Sequence, residues 1–348
     1  MVDGPNTIIA TWFHADESDF AGSYSQTLGV SYSKKHYQLY LRCVYVFFQF
    51  LEIQKRQEER YFFVNPHGYS QIDESLLNFL NKSQVKIVVL ENNHIPPVVS
   101  GKKWRNQFFI VDILEYLASL DKNIIILDSD VLTKSNEEIS FNAPSEVIGY
   151  ILSTVQDEMI NGIKVSELSK LYEKLSGERP SKEISYLGGE FLAISQGSLK
   201  RFHQLCELYY SRNWDFAAKG EIYFREEAHL FSIVSAHFKL DTTGNRLISR
   251  IWTQPWTFRS IPDNLEELIF WHLPAEKKTG LRRIHRALSR SSFNNDKGDE
   301  ILEQHVRNFV GVPHYSSNKL MRDLIDLRSG LLRHLLLRLR RIFSEFSK

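Results

Sequence analysis

Over roughly its first 150 residues the chain alternates short apolar runs with longer stretches in which apolar positions recur every three or four residues. Thr7 to Phe13, Tyr61 to Val64, Val85 to Leu90 and Ile124 to Leu127 are compact runs of the length and composition of strands. Between them, Lys35 to Arg56, Ser70 to Asn81 and Gln107 to Leu120 carry an apolar stripe at helical spacing. Strands alternating with helices at this spacing predict right-handed crossovers and a mostly parallel sheet flanked by helices. Val147 to Ser153 continues as a further strand, after which the pattern loosens. A polar helix near Val165 to Leu175, a break at Gly177 to Pro180 and a strand-like run from Ile184 to Ser195 follow. Leu199 to Ser211 and Glu226 to Ala236 read as helices, Thr253 to Asp263 as a Pro-containing loop, and Leu268 to Trp271 as a strand. Ser289 to Asp299 is polar and aperiodic, which marks a linker. The division predicted is an α/β domain over residues 1–288, a linker with a short helix over 289–320, and a helical extension over 321–348.

Composition narrows the class without selecting a chemistry. The chain of 348 residues is 43% hydrophobic and 24% charged, as an ordinary globular protein is. A net charge of +1 argues against a general nucleic-acid binder, whose domain would be strongly basic. Two cysteines, Cys43 and Cys206, are too few for a disulfide framework and suit a reducing compartment. Met1 to Asn6 lacks a basic start and an apolar core, so no signal peptide is expected. Leu39 to Leu51 is interrupted by Arg42 and Gln49, too short and too polar to span a bilayer. The expectation is a cytoplasmic protein.

The candidate chemistry begins where the apolar run Ile124-Ile125-Ile126-Leu127 meets Asp128-Ser129-Asp130. Ligands of open α/β sheets bind beyond the carboxyl ends of the strands. Two carboxylates one residue apart lean the same way as a strand gives out. Hard oxygen donors in that position suit Mg²⁺ or Mn²⁺. A turn with a capping Asp has the same local form. Three further clusters follow in order. Gly188 and Gly189, ahead of Glu190, sit in a strand-like run, where a Gly pair signals a bulge or a close approach. Glu226 and Glu227 open an apolar helix, where they either satisfy the helix dipole or face the crevice as reacting carboxylates. His272 ends a strand and precedes Lys277 and Lys278, a set able to hold a metal and a diphosphate, or to be a packed His beside two solvated lysines.

A strand ending in Asp-x-Asp after a β-α-β half resembles the metal-binding signature of nucleotide-sugar-dependent glycosyltransferases of the GT-A fold. The order of Asp128-Ser129-Asp130, Gly188-Gly189, the Glu-Glu-Ala-His helix start and His272 with its lysines resembles retaining families of that fold. Glu226-Glu227-Ala228-His229-Leu230 is similar to the Asp-Glu-Ser-His-Leu run of blood-group-type α-galactosyltransferases, differing in Glu-Ala for Asp-Ser. The late motif lacks the His-Phe-x-Gly-x-x-Lys-Pro-Trp form of those families.

The resemblance implies a sugar transferred from a nucleoside-diphosphate donor, a UDP-sugar in the first instance, to a hydroxyl of a glycan or glycolipid. It implies Mn²⁺ or Mg²⁺ on Asp128, Asp130 and His272, with Lys277 or Lys278 on the diphosphate. Glu227 or Glu190 would face the sugar, stabilising its oxocarbenium-like charge, or acting as base in an inverting enzyme. Thr11, Trp12, Phe13 and Asn65 would lie by the base and ribose, Arg105 by the diphosphate, and the Gly188-Gly189 pair where the donor approaches closely. Two other classes stay open: a sugar-1-phosphate nucleotidyltransferase, and a non-catalytic scaffold. Phe13-His14-Ala15-Asp16-Glu17 is not the Gly-rich basic loop that the nucleotidyltransferase needs after its first strand.

The tail from Arg328 to Lys348 carries six Lys/Arg against Glu345, a net +5. Leu331, Leu332, Leu335, Leu336, Leu339, Ile342, Phe343 and Phe346 form one broad helical face, with Arg333, Arg340 and Arg341 opposite. This is the composition of a helix lying on an anionic membrane, which would make the protein peripheral on the inner face. Docking on the main domain or on a second copy of the chain is the alternative.

Overall fold

The computed structural model describes residues 6–17, 31–96, 104–141, 146–254, 258–289 and 306–312. The predicted tail helix lies outside the described residues, as does the 289–320 linker except for Ser289 and residues 306–312.

The first half folds as β1 (Thr7–Phe13), α1 (Lys34–Ile53), β2 (Glu59–Val64), α2 (Pro66–Ser70), α3 (Glu74–Lys82), β3 (Lys86–Val89), α4 (Phe109–Ala118) and β4 (Asn123–Leu127). Then come β5 (Val131–Thr133), β6 (Glu146–Ser153), β7 (Met159–Ile160), β8 (Ile163–Lys164), α5 (Val165–Ser176), β9 (Tyr186–Ile194), α6 (Gln196–Ala218) and α7 (Glu227–Ser235). The remainder is β10 (Lys239–Asp241), α8 (Gly244–Leu247), β11 (Ile248–Arg250), β12 (Trp252–Gln254), β13 (Phe258–Ser260), β14 (Phe270–His272) and α9 (Gly280–Ser289).

Seven strands form one sheet in the order β10-β6-β9-β4-β1-β2-β3. All neighbours pair parallel except around β9, which runs antiparallel to both β4 and β6. This is the α/β architecture expected from the sequence. Strand β4 lies inside the sheet, and Ile124 to Leu127 are each at most 3% exposed. Burying side chains of that size contributes about 1.5–3 kcal/mol each, which explains a run with no polar interruption.

Several boundaries differ from the sequence reading, each for a local reason. The single helix expected over Ser70 to Asn81 is two helices. Asn65 caps the first through Gly68 N at 3.1 Å, and Asp73 caps the second through Leu76 N at 2.8 Å. Periodicity continued across the junction, but two caps stop the ladder there. The helix expected to end at Ser211 runs on to Ala218, because buried Asn213 ties it to the Phe224 backbone through both amide atoms. The strand expected at Leu268 to Trp271 is displaced to Phe270–His272, behind a 3₁₀ turn at Leu265–Glu267.

A second, three-stranded sheet, β11-β14-β5, builds the site. Its register sets His272 opposite Val131, one residue after Asp130, and opposite Arg250 on the other side. Leu273 N donates to Asp130 O at 3.1 Å and Ile251 N to His272 O at 2.9 Å. Behind it, Trp271, Leu273, Leu281 and Ile284 share a core with Val306, Val310 and Val312. Residues 306–312 therefore pack on the main body. Among the described residues, no helix is long and apolar enough to cross a membrane.

Candidate metal centre and cleft

Asp128, Ser129 and Asp130 make a turn at the carboxyl end of β4, closed by Val131 N donating to Asp128 O at 3.2 Å. The strand delivers the carboxylates and the small sheet delivers the imidazole. Asp128, Asp130 and His272 each place a potential ligand atom within 4.8 Å of the others. His272 Nε2 is 3.3 Å from Asp130 Oδ2 and 3.6 Å from Asp128 Oδ2. His272 Nε2 is a buried atom with no well-formed hydrogen bond, and Asp130 Oδ2 is met by the Lys277 ammonium. Two carboxylates and one imidazole converging in this way form a donor set able to hold a metal ion.

Glu190 sits beside this trio. Its backbone oxygen accepts from Asp128 N at 3.2 Å, and its carboxylate lies 3.3 Å from His272 Nδ1. An Nδ1–H donated to Glu190 leaves the Nε2 lone pair for a cation, the usual means of fixing a metal-binding His. Arg250 clamps the same carboxylate, with Nη2 2.8 Å from Oε2 and Nε on Oε1. Lys277 Nζ is 2.7 Å from Asp130 Oδ2 and lies over the Tyr40 ring, 5.5 Å from its centroid.

The protonation states follow from this crowding. Burial and the neighbouring Asp130 raise Asp128 to about 6, against the pull of His272 and Lys277. Burial would raise Asp130 too, but Lys277 and His272 outweigh it and hold Asp130 well below the usual carboxylate range. Burial opposes charge on His272, yet Asp130 and Glu190 lift it to about 9. Glu190 is likewise penalised by burial and then pulled far down by Arg250 and His272. Glu227 goes the other way: burial, Glu226 and Asp128 push its carboxyl well above the ordinary value. Proximity to Lys277 and Lys278 adds to burial in lowering His36 to about 4, against Asp16.

The trio opens into a cleft of about 600 Å³. Its lining includes Trp12, His36, Tyr40, Asn161, Glu227 and Arg250. Phe13 and Tyr40 stack with ring centroids 5.8 Å apart. Glu227, the first residue of α7, is 8% exposed and its Oε2 has no hydrogen-bond partner. Its neighbour Glu226 is instead held by Tyr186 Oη and by Asn161 Nδ2 at 2.7 Å.

Gly188 and Gly189 are explained by space. Between Gly149 and Ile151 of β6 the facing positions on β9 run from Leu192 to Leu187, so β9 bulges at the glycines. A Cβ on Gly188 would meet the Glu190 carboxylate and come within 2.9 Å of the Tyr150 ring; one on Gly189 would meet Glu227. The bulge and the absent side chains make room for the two carboxylates.

The structure thus brings together Asp128, Asp130, His272, Lys277, Glu190, Glu227, Trp12 and Phe13. It does not bring Arg105, Asn65, Thr11 or Lys278 to the cleft. Arg105 donates to Pro96 O at 2.9 Å, while the adjacent Asn106 and Gln107 line the cleft. Asn65 holds the Ala15 backbone, at 2.9 Å from its N and 3.0 Å from its O. Thr11 is fully buried in β1, and Lys278 is exposed. The sequence reading did not find Tyr40, Asn161 or Arg250. Asn161-Gly162 is a hairpin-turn dipeptide, and both residues adopt positive φ (49° and 87°), so that signal was present. Arg250 ends a three-residue strand too short to leave a pattern. No known family model matches the chain, and no curated protein matches it.

Proposed function

We propose that the protein is a divalent-metal-dependent glycosyltransferase acting on a nucleoside-diphosphate sugar, with a glycan or glycolipid hydroxyl as acceptor. The observation that carries this reading is the convergence of Asp128, Asp130 and His272 beside a buried lysine, at the strand end of a mostly parallel sheet. A divalent ion held by those three side chains would supply Lewis-acid stabilisation to the departing diphosphate. Lys277 adds a buried point charge on the same side. Trp12, half-buried in the cleft wall, offers an aromatic face to a nucleobase, while Phe13 and Tyr40 stack on each other beneath the Lys277 ammonium. Glu190, already engaged by Arg250 and His272, positions the imidazole. Glu227 is the carboxyl left to face the sugar, either stabilising positive charge at the anomeric carbon or taking the acceptor proton. Its raised pKa supports an acid–base task.

The test is thermal shift with UDP-, GDP- and CMP-sugars, with and without MnCl₂. A shift that needs both nucleotide and Mn²⁺, and disappears in Asp130→Ala, is expected. No stabilisation by any combination overturns the assignment. Slow release of nucleoside diphosphate without acceptor separates a transferase from a scaffold, which releases none.

A further inference from the structure

We propose that a second metal site, selective for Zn²⁺, lies between α4 and α6, formed by His94, His203, Glu207 and Glu115. It is independent of the cleft, and none of the four lines it.

Glu115, on α4, and His203 and Glu207, one turn apart on α6, place ligand atoms within 4.8 Å of one another. His94, outside that group of three, enters from the segment after β3 and reaches it through Glu207. Its Nε2 is 2.9 Å from Glu207 Oε1, and His203 Nε2 is 3.4 Å from the same oxygen. The charged partners of Glu207 are thus two imidazoles rather than a lysine or arginine. His203 Nε2 is a buried atom without a hydrogen bond.

A carboxylate stands behind the first imidazole, as at His272: His94 Nδ1 is 2.9 Å from Asp112 Oδ1. The His94 side chain is 10% exposed and that of Asp112 is 3%. Carboxylate, imidazole and metal in a line is the arrangement that fixes the tautomer of a ligating His. Tyr210 packs edge-on against the His94 ring, 4.9 Å between centroids, and limits its rotation.

The donor set separates this site from the cleft. Two imidazoles with carboxylates favour Zn²⁺, whereas magnesium and calcium prefer oxygen alone. The ion would pin α4 to α6. Because Asn106 and Gln107, in the 3₁₀ turn that leads into α4, line the cleft, zinc would stiffen one cleft wall without touching substrate.

Metal-stripped protein is titrated with ZnCl₂ by calorimetry, in the wild-type chain and in Asp128→Asn/Asp130→Asn. The cleft-blocked chain is expected to bind one zinc ion and to melt at higher temperature with it. Adding His203→Ala/Glu207→Gln abolishes both effects. In the wild-type background the same pair removes one of two zinc ions, so the result does not hang on folding of the cleft variant. His94→Ala weakens zinc at least tenfold. An unchanged zinc count in His203→Ala/Glu207→Gln overturns the proposal. So does equal binding of MgCl₂ or CaCl₂, which would mark a diffuse acidic surface.

Discussion

Replacing Lys277 by Met tests whether the site is built around a cation. The ammonium sits against Asp130 Oδ2 at 2.7 Å, with side-chain exposures of 9% and 1%. Removing one partner of a buried pair costs about 3–5 kcal/mol, because the remaining charge loses its nearest compensation. Unfolding entropy near 2.1 cal/mol/K per residue, over 348 residues, makes 1 kcal/mol worth about 1.4 °C. The variant should therefore melt about 4–7 °C below wild type in metal-free buffer. Mn²⁺ should then stabilise it more than it stabilises wild type, since the ion no longer shares Asp130 with an ammonium. At a hundred times Kd, ligand binding is worth about 2.7 kcal/mol, or about 4 °C on this scale. Differential scanning fluorimetry with and without MnCl₂ reads both numbers. A metal-free Tm within 1 °C of wild type, or a smaller Mn²⁺ shift in the variant, refutes the reasoning.

Mn²⁺ affinity should rise with pH. His272 holds a proton up to about 9 and must shed it from Nε2 to ligate, and Asp128 holds one below about 6. The gain is roughly tenfold per unit between those values, steeper below and flat above; calorimetric titration across the range checks it, and a flat profile contradicts it. Glu190→Gln should weaken Mn²⁺ about 10–100-fold by loosening His272, while leaving nucleotide-sugar specificity unchanged. Glu227→Gln should abolish turnover yet keep the Mn²⁺-dependent thermal shift, which a role in metal binding would remove. Gly189→Ala should lower turnover with metal affinity intact, because its Cβ meets the Glu227 carboxylate. Deleting residues from Ser329 onward should abolish flotation with anionic liposomes; unchanged partitioning sinks the membrane reading of the tail.

The sequence carried the parts of this protein that depend on local pattern. Ile124 to Leu127 reads as a buried strand because burial on both faces excludes polar residues. Asp128-Ser129-Asp130 follows it directly, so the carboxylate pair and its place at a strand end were legible together. Glu226 and Glu227 were legible as carboxylates opening an apolar helix, and only the family resemblance singled out Glu227. Glu190 was found for its place beside the glycines, but its task was not, since Arg250 and His272 reach it from distant strands. Asn65 and Arg105 look like ligands in a list of polar residues; one fixes a loop backbone and the other a carbonyl.

Tertiary structure alone decided which residues meet. Strands β5, β11 and β14 are three residues each, and no hydrophobic period can be read from so few. Yet their register puts His272 between Val131 and Arg250, and so assembles the candidate metal trio. Long-range pairing of that kind is set by backbone hydrogen bonds and by the core packed behind Trp271. The sequence determined that two carboxylates stand at the end of a buried strand. The fold determined that an imidazole, a lysine and two further buried carboxyl groups, Glu190 and Glu227, stand around them.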